Sequence, residues 1–200
     1  MDGRCGAQTL QHSFADKLAF TRGIREATDT ATILRLLPGC VSVTKTDNET
    51  DRCGVDFIAD LRRGAKVLID SKTREPGAAH WWRHDEPEFA LEIWSVCAGG
   101  KYAMPDNKKK IGWTLNESTP VDMILYTFDP ADSMEAFLIG FQPLRMAFRS
   151  YFHQWCKKYE RKTQDSKTWE SECVFVPASV CLAGIMRASR LTPIAHGWAT

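Results

Sequence analysis

The sequence predicts an α/β (α+β) fold, with a central mixed β-sheet flanked by helices. Three observations carry that expectation. Segments with strand-like alternation interleave with segments of helical spacing along the chain. Two strand-like segments, 54–61 and 66–73, flank a tight Arg62-Arg63-Gly64 turn. Hydrophobic residues make up 44% of the 200, enough for one sizeable core, so a single domain over residues 1–200 is expected.

In chain order, Ser13 followed by Asp16 resembles an N-cap pair opening a helix that runs to about residue 28. A second short helix is expected from Thr30 to Leu37, stopped by Pro38-Gly39. Val41 to Thr46 alternates like a strand, and the two hairpin strands follow. After a polar, Trp-rich loop, Glu88 to Ala98 reads as a mostly buried helix behind Pro87, and 99–119 reads as loop. Met123 to Phe128 and Ala136 to Phe141 are apolar strands. Pro143 opens a helix reaching roughly Arg161, Cys173 to Val176 makes a last strand, and Pro177 suits the first residue of a closing helix.

Composition excludes several classes. No apolar run approaches the roughly 18 residues of a membrane span. The opening Met-Asp-Gly-Arg-Cys-Gly has no hydrophobic signal core, so a soluble cytoplasmic protein is expected. The seven cysteines are odd in number and form no Cys-x-x-Cys pair, which argues for reduced thiols over a disulfide framework or structural zinc. A net charge of +1 excludes binding to nucleic acid by bulk positive charge but leaves local basic patches open.

The hairpin carries the chemistry. A three-residue hairpin loop usually ends in a left-handed glycine; with Gly64 in that place Leu61 lies opposite Ala65. Asp60 then faces Lys66, a favourable cross-strand pair, Ile58 faces Leu68, and Asp56 faces Asp70. Two carboxylates opposed at roughly 5 Å between β-carbons destabilise a sheet unless one is held protonated or a divalent cation lies between them. Lys72, two residues past Asp70, projects from the same face. Two carboxylates and a lysine suit phosphodiester hydrolysis, in which a metal neutralises the phosphate and activates water. A solvated Asp-x-Lys is the ordinary alternative. It is disfavoured here by the order Gly-x-Asp, hairpin, Asp-x-Lys and by the apolar reverse face of Phe57, Ala59, Leu61, Val67 and Ile69.

This stretch resembles the core motif of the PD-(D/E)xK nuclease superfamily, which includes restriction endonucleases and Holliday-junction resolvases. The first aspartate of that pattern falls on Asp56, the second acid on Asp70 and the lysine on Lys72; Val55 stands where the name implies proline. The close match spans about 20 residues, and a looser match of element order spans 13–145. The resemblance implies a restriction-endonuclease-like core and a DNA endonuclease dependent on Mg²⁺, with Mn²⁺ able to substitute. Asp56, Asp70 and the backbone carbonyl of Ser71 would be the metal ligands. Members often add an acid from the first helix, for which Glu26 is the candidate. It shares a stripe with Ala15 and Ala19; the alternative is an exposed Glu26 paired with Arg22. Such folds often dimerise to cut both strands, so a homodimer is a further expectation. The compact chain without accessory domains suggests a stand-alone enzyme of a phage or mobile element.

Candidate DNA contacts lie elsewhere. Arg145, Arg149, His153, Lys157 and Arg161 recur every four residues opposite the apolar face of the Pro143 helix, as a phosphate-tracking stripe or as a solvated face. Lys108, Lys109 and Lys110, followed by Trp113, form a second candidate, a basic loop with an aromatic that would stack on a base. Arg62 and Arg63 read as solvated. His80 and His84 have a zinc-compatible spacing, but Pro76-Gly77 and Pro87 leave little room for a helix; that loop more readily borders the cleft through Trp81, Trp82 and Arg83. The competing classes are a catalytically silent nucleic-acid- or protein-binding module on the same fold, and a nucleotide phosphohydrolase, which lacks a Gly-rich phosphate loop.

Overall fold

The computed structural model describes residues 26–47, 50, 54–74, 86–96, 110–128, 136–165 and 170–191. The expected helix start at Ser13 and Asp16, the His80–His84 loop, Lys108 and Lys109 lie outside the described residues. The described chain is α/β. Helix α1 covers 26–36, and strands β1 (Cys40–Lys45), β2 (Phe57–Leu61) and β3 (Lys66–Thr73) follow. Then come β4 (Glu88–Val96), β5 (Lys110–Ile111), β6 (Met123–Thr127) and β7 (Ala136–Gly140). Helix α2 (Phe141–Lys158), β8 (Arg161–Asp165), β9 (Glu170–Pro177) and α3 (Ala178–Leu191) complete the order.

One mixed sheet has the order β1-β2-β3-β6-β7 and a second has β5-β4-β9-β8. All pairings are antiparallel except β3 with β6, which is parallel, so the chain leaves the first sheet after β3, contributes β4 and β5 to the second, and returns as β6. The strand β3 is therefore central, and its two faces meet different layers. On one face Ile69, with Phe57, Ala59 and Leu125, packs under Ile33 of α1 and Leu37 just past its end. On the other, Ile124 and Tyr126 join Phe89, Leu91 and Ile93 of β4, Val174 and Val176 of β9, and Leu144, Phe148 and Trp155 of α2. Burying such side chains stabilises the fold by about 1.5–3 kcal/mol each.

Several elements differ from the sequence expectation, among them the two-residue strand β5 (Lys110–Ile111) inside the expected 99–119 loop. Residues 88–96 form a strand, not a helix. Phe89, Leu91 and Ile93 are buried while Ala90, Glu92 and Trp94 are half-buried, a period of two, and pairing with β9 from Glu88↔Pro177 to Trp94↔Glu172 fixes it. Residues 26–36 are helical without the break expected near Asp29; the Asp29 side chain has a tertiary partner that outweighs its weak helix propensity. Helix α2 starts at Phe141, with Pro143 in its first turn, and ends at Lys158, where Tyr159 turns extended (φ −108°, ψ 161°). Arg161–Asp165 then pairs with β9. This edge strand is polar throughout and carries no hydrophobic period to read. Finally, Pro177 closes β9, and α3 opens at Ala178 with its Ser179 N–H and hydroxyl donated to the Glu86 carboxylate (2.9 and 2.8 Å), which satisfies an N-terminal amide.

Among the described residues no helix is long and apolar enough to cross a membrane. Cys40, Cys156, Cys173 and Cys181 are free thiols, and burial pushes Cys173 and Cys181 up to about 12.

Candidate functional site

The β2–β3 hairpin turns where its sequence requires. Gly64 has φ 80°, a conformation that disfavours any residue with a Cβ. The Leu61 and Gly64 amides close the loop onto Ala65 and Leu61 (both 2.8 Å). The register runs Asp60↔Lys66, Ile58↔Leu68 and Phe57↔Ile69. Asp60 meets Lys66 at 3.2 Å and accepts the Ser42 hydroxyl at 2.8 Å; these partners, Ser42 foremost, hold its carboxyl below the usual range.

At Asp56 the ladder gives way. Its amide donates to Ile69 O (2.9 Å), and the next amide of β3, Ser71 N–H, is taken by the Asp56 carboxylate (Oδ2, 2.7 Å). The side chain thus fills the place of a strand carbonyl. Thr46, just past β1, fixes this splay: its amide donates to Asp56 O (2.9 Å) and its hydroxyl to the carbonyls of Val55 and Asp56.

Asp70 and Lys72 sit on the opposite face of β3 from Ile69, towards the second sheet. The Asp70 carboxyl is buried, with 4% of its side chain exposed, and meets Lys72 Nζ at 2.7 Å. Burial pushes its pKa up to about 7; Lys72 opposes the rise, and the neighbouring Asp56 carboxylate adds to it by charge and hydrogen bonding. The sequence expectation of two mutually destabilising aspartates has its counterpart in that interaction. Lys72 Nζ also lies 5.5 Å from the Trp113 ring centroid. Trp113 is placed by Glu92, whose carboxylate accepts its amide (2.9 Å), and it packs on Phe141.

The acid that α1 brings to β3 is Asp29. It is 4% exposed, and its Oδ2 accepts the Ser71 hydroxyl at 2.7 Å. Glu26, one turn earlier, has 46% of its side chain exposed and faces Lys45 at 4.0 Å. Residues three apart share a helical face, so the stripe through Glu26 reaches Asp29 only because the helix runs unbroken over 26–36, across the position where the sequence predicts a break.

The expected DNA-contacting stripe is largely engaged within the chain. Arg145 is half-buried, donates to Asn116 O (2.8 Å) and to Gln142 Oε1, and stacks on Phe141. Arg149 pairs with Glu117 at 2.6 Å, and Arg161, off the helix, pairs with Glu172. Lys157 and Lys110 are exposed.

Among the described residues no group of three or more His, Cys, Asp or Glu side chains is placed to hold a metal. The donor chemistry of Asp56 and Asp70 suits Mg²⁺ nonetheless, since that ion takes one or two carboxylates and completes its shell with waters and substrate phosphate. No protein-family model matches the chain, and no curated protein or solved structure matches it.

Proposed function

We propose that this chain is a metal-dependent DNA endonuclease of the PD-(D/E)xK type, with a restriction-endonuclease-like core. One observation carries the reading: the Asp56 carboxylate, aimed by the Ser71 amide where the hairpin splays, interacts with the buried Asp70 carboxyl, and Lys72 lies on Asp70. The element order supports it. A helix covers an antiparallel β1-β2-β3 meander, and β6 returns parallel to β3, as in that superfamily's core; the described crossover between them holds strands β4 and β5 where that core has a helix.

In this reading Asp56, Asp70 and the Ser71 carbonyl would hold Mg²⁺, which when bound would supply charge neutralisation for the phosphate and a lowered pKa for an attacking water. The chain's own groups do the rest. Asp70 holds the Lys72 ammonium at the site, where its charge stabilises the negative charge that grows on the phosphoryl oxygens. The Ser71 amide keeps the Asp56 carboxylate aimed, and Asp29 holds Ser71 from the other face of β3.

The test is incubation with linear, supercoiled and branched DNA and either Mg²⁺ or Mn²⁺. Metal-dependent cleavage lost in both Asp70→Asn and Lys72→Ala supports the reading. Binding without cleavage, unchanged by either substitution, replaces it with a silent binding module.

A further inference from the structure

Arg74, just past the end of β3, is a basic group on that strand's working face that the reaction above leaves unused. Lys66, at the far end of the same face, is already paired with Asp60. Alternation along the strand puts Asp70, Lys72 and Arg74 on one side, successive pairs about 7 Å apart, and the Arg74 amide extends the ladder to Thr127 O (2.9 Å). Its guanidinium stacks over Phe175 of β9, 4.9 Å from the ring centroid. Its Nε is sealed from solvent without a hydrogen-bond partner, and among the described residues no carboxylate pairs with it. Stacking on Phe175 offsets part of the cost of sheltering that cation, but a sheltered charge normally has a counter-charge as well.

We infer that Arg74 is a substrate-binding residue whose guanidinium grips the phosphate adjacent to the scissile one on the same nucleic-acid strand. The inference rests on the nuclease reading of Asp56, Asp70 and Lys72. Neighbouring phosphates of one strand are spaced much as neighbouring same-face residues of β3 are. A planar guanidinium fork matches phosphate oxygens in a way the Lys72 ammonium does not. Phe175 holds the fork flat, so it meets the backbone already oriented.

The experiment measures anisotropy of a labelled DNA duplex and a labelled single strand across a series of NaCl concentrations, with Ca²⁺ present, alongside steady-state cleavage in Mg²⁺. Arg74→Gln is expected to weaken binding about tenfold or more and to lower the slope of log affinity against log salt by about one. Its KM rises while kcat at saturating DNA is kept. Arg74→Lys keeps the slope and recovers part of the affinity. Wild-type affinity and slope in Arg74→Gln overturn the inference, as does a lower kcat at unchanged KM, the mark of a purely structural role. Should Arg74→Gln fail to fold, wild-type affinity in Arg74→Lys overturns it instead. A wild-type protein that cleaves nothing sinks the nuclease reading itself, whereas cleavage with an indifferent Arg74 sinks only this step.

Discussion

Replacing Asp70 by asparagine should stabilise the protein at alkaline pH. The folded-state pKa of Asp70, about 7, lies above the ordinary 3.8, so the folded chain holds the proton more tightly than the unfolded chain does. Ionising Asp70 therefore costs stability. The cost is nil below the unfolded value, grows between the two, and is complete above the folded value. At about 1.4 kcal/mol per pKa unit it reaches about 4 kcal/mol at full ionisation and less than half of that near pH 5. Asparagine keeps the shape and can still accept from Lys72, with no charge to bury. The assay is urea denaturation without divalent metal at about pH 8.5 and about pH 5. The variant should exceed the wild type by about 4 kcal/mol at the higher pH, narrowing to less than half of that at the lower. A variant no more stable at the higher pH, or one with the same advantage at both, refutes the reasoning. Added Mg²⁺ should then raise the wild-type midpoint more than the variant's, because a ligand stabilises only the state that binds it.

Two further substitutions test how the site is held. A Cβ on Gly112 would lie 2.4 Å from Glu92 O, a backbone atom that cannot step aside. Gly112→Ala should therefore cost about 2 kcal/mol or more by thermal melt, and shift Trp113 emission as the turn lifts off β4. Asp29→Ala removes a buried acceptor of the Ser71 hydroxyl and should cost about 1–3 kcal/mol, whereas Glu26→Ala should stay within about 0.5 kcal/mol of wild type. Equal costs in denaturant for the pair would show that the acid brought by α1 had been misassigned.

What the sequence made legible follows from where each signal comes from. The hairpin could be read to the residue because a left-handed glycine, an opposite-charge pair and a period-two apolar face all specified one register. The departure at Asp56 could not be read, since it depends on Thr46, just past another strand, and on a side chain replacing a carbonyl. β4 was misread because Ala90 and Trp94 interrupt the polar half of its alternation, leaving an apolar run equally compatible with a buried helix. β8 gave no signal at all, being a polar edge held by β9. The arginines of α2 had the right spacing for a phosphate track, but spacing is silent about partners. Asn116 and Glu117 lie about thirty residues away in sequence and reach those arginines only in the folded chain.

The positions around residue 70 show why a functional reading is favoured over a structural one. Ile69 is fully buried under α1, and that apolar face carries the helix, and with it Asp29, across β3 to Ser71. Stability alone would also favour an apolar residue at 70, facing the larger core that Leu68 packs against. The chain instead buries an acid there, beside a second acid, at a cost of about 4 kcal/mol when ionised, against a total stability of about 5–15 kcal/mol for an ordinary domain. Lys72 relieves this only in part, as the raised pKa records. A divalent cation would turn the same two carboxylates from a liability into a binding site. Local conflicts of this size are characteristic of places where chemistry, and not folding, sets the residue.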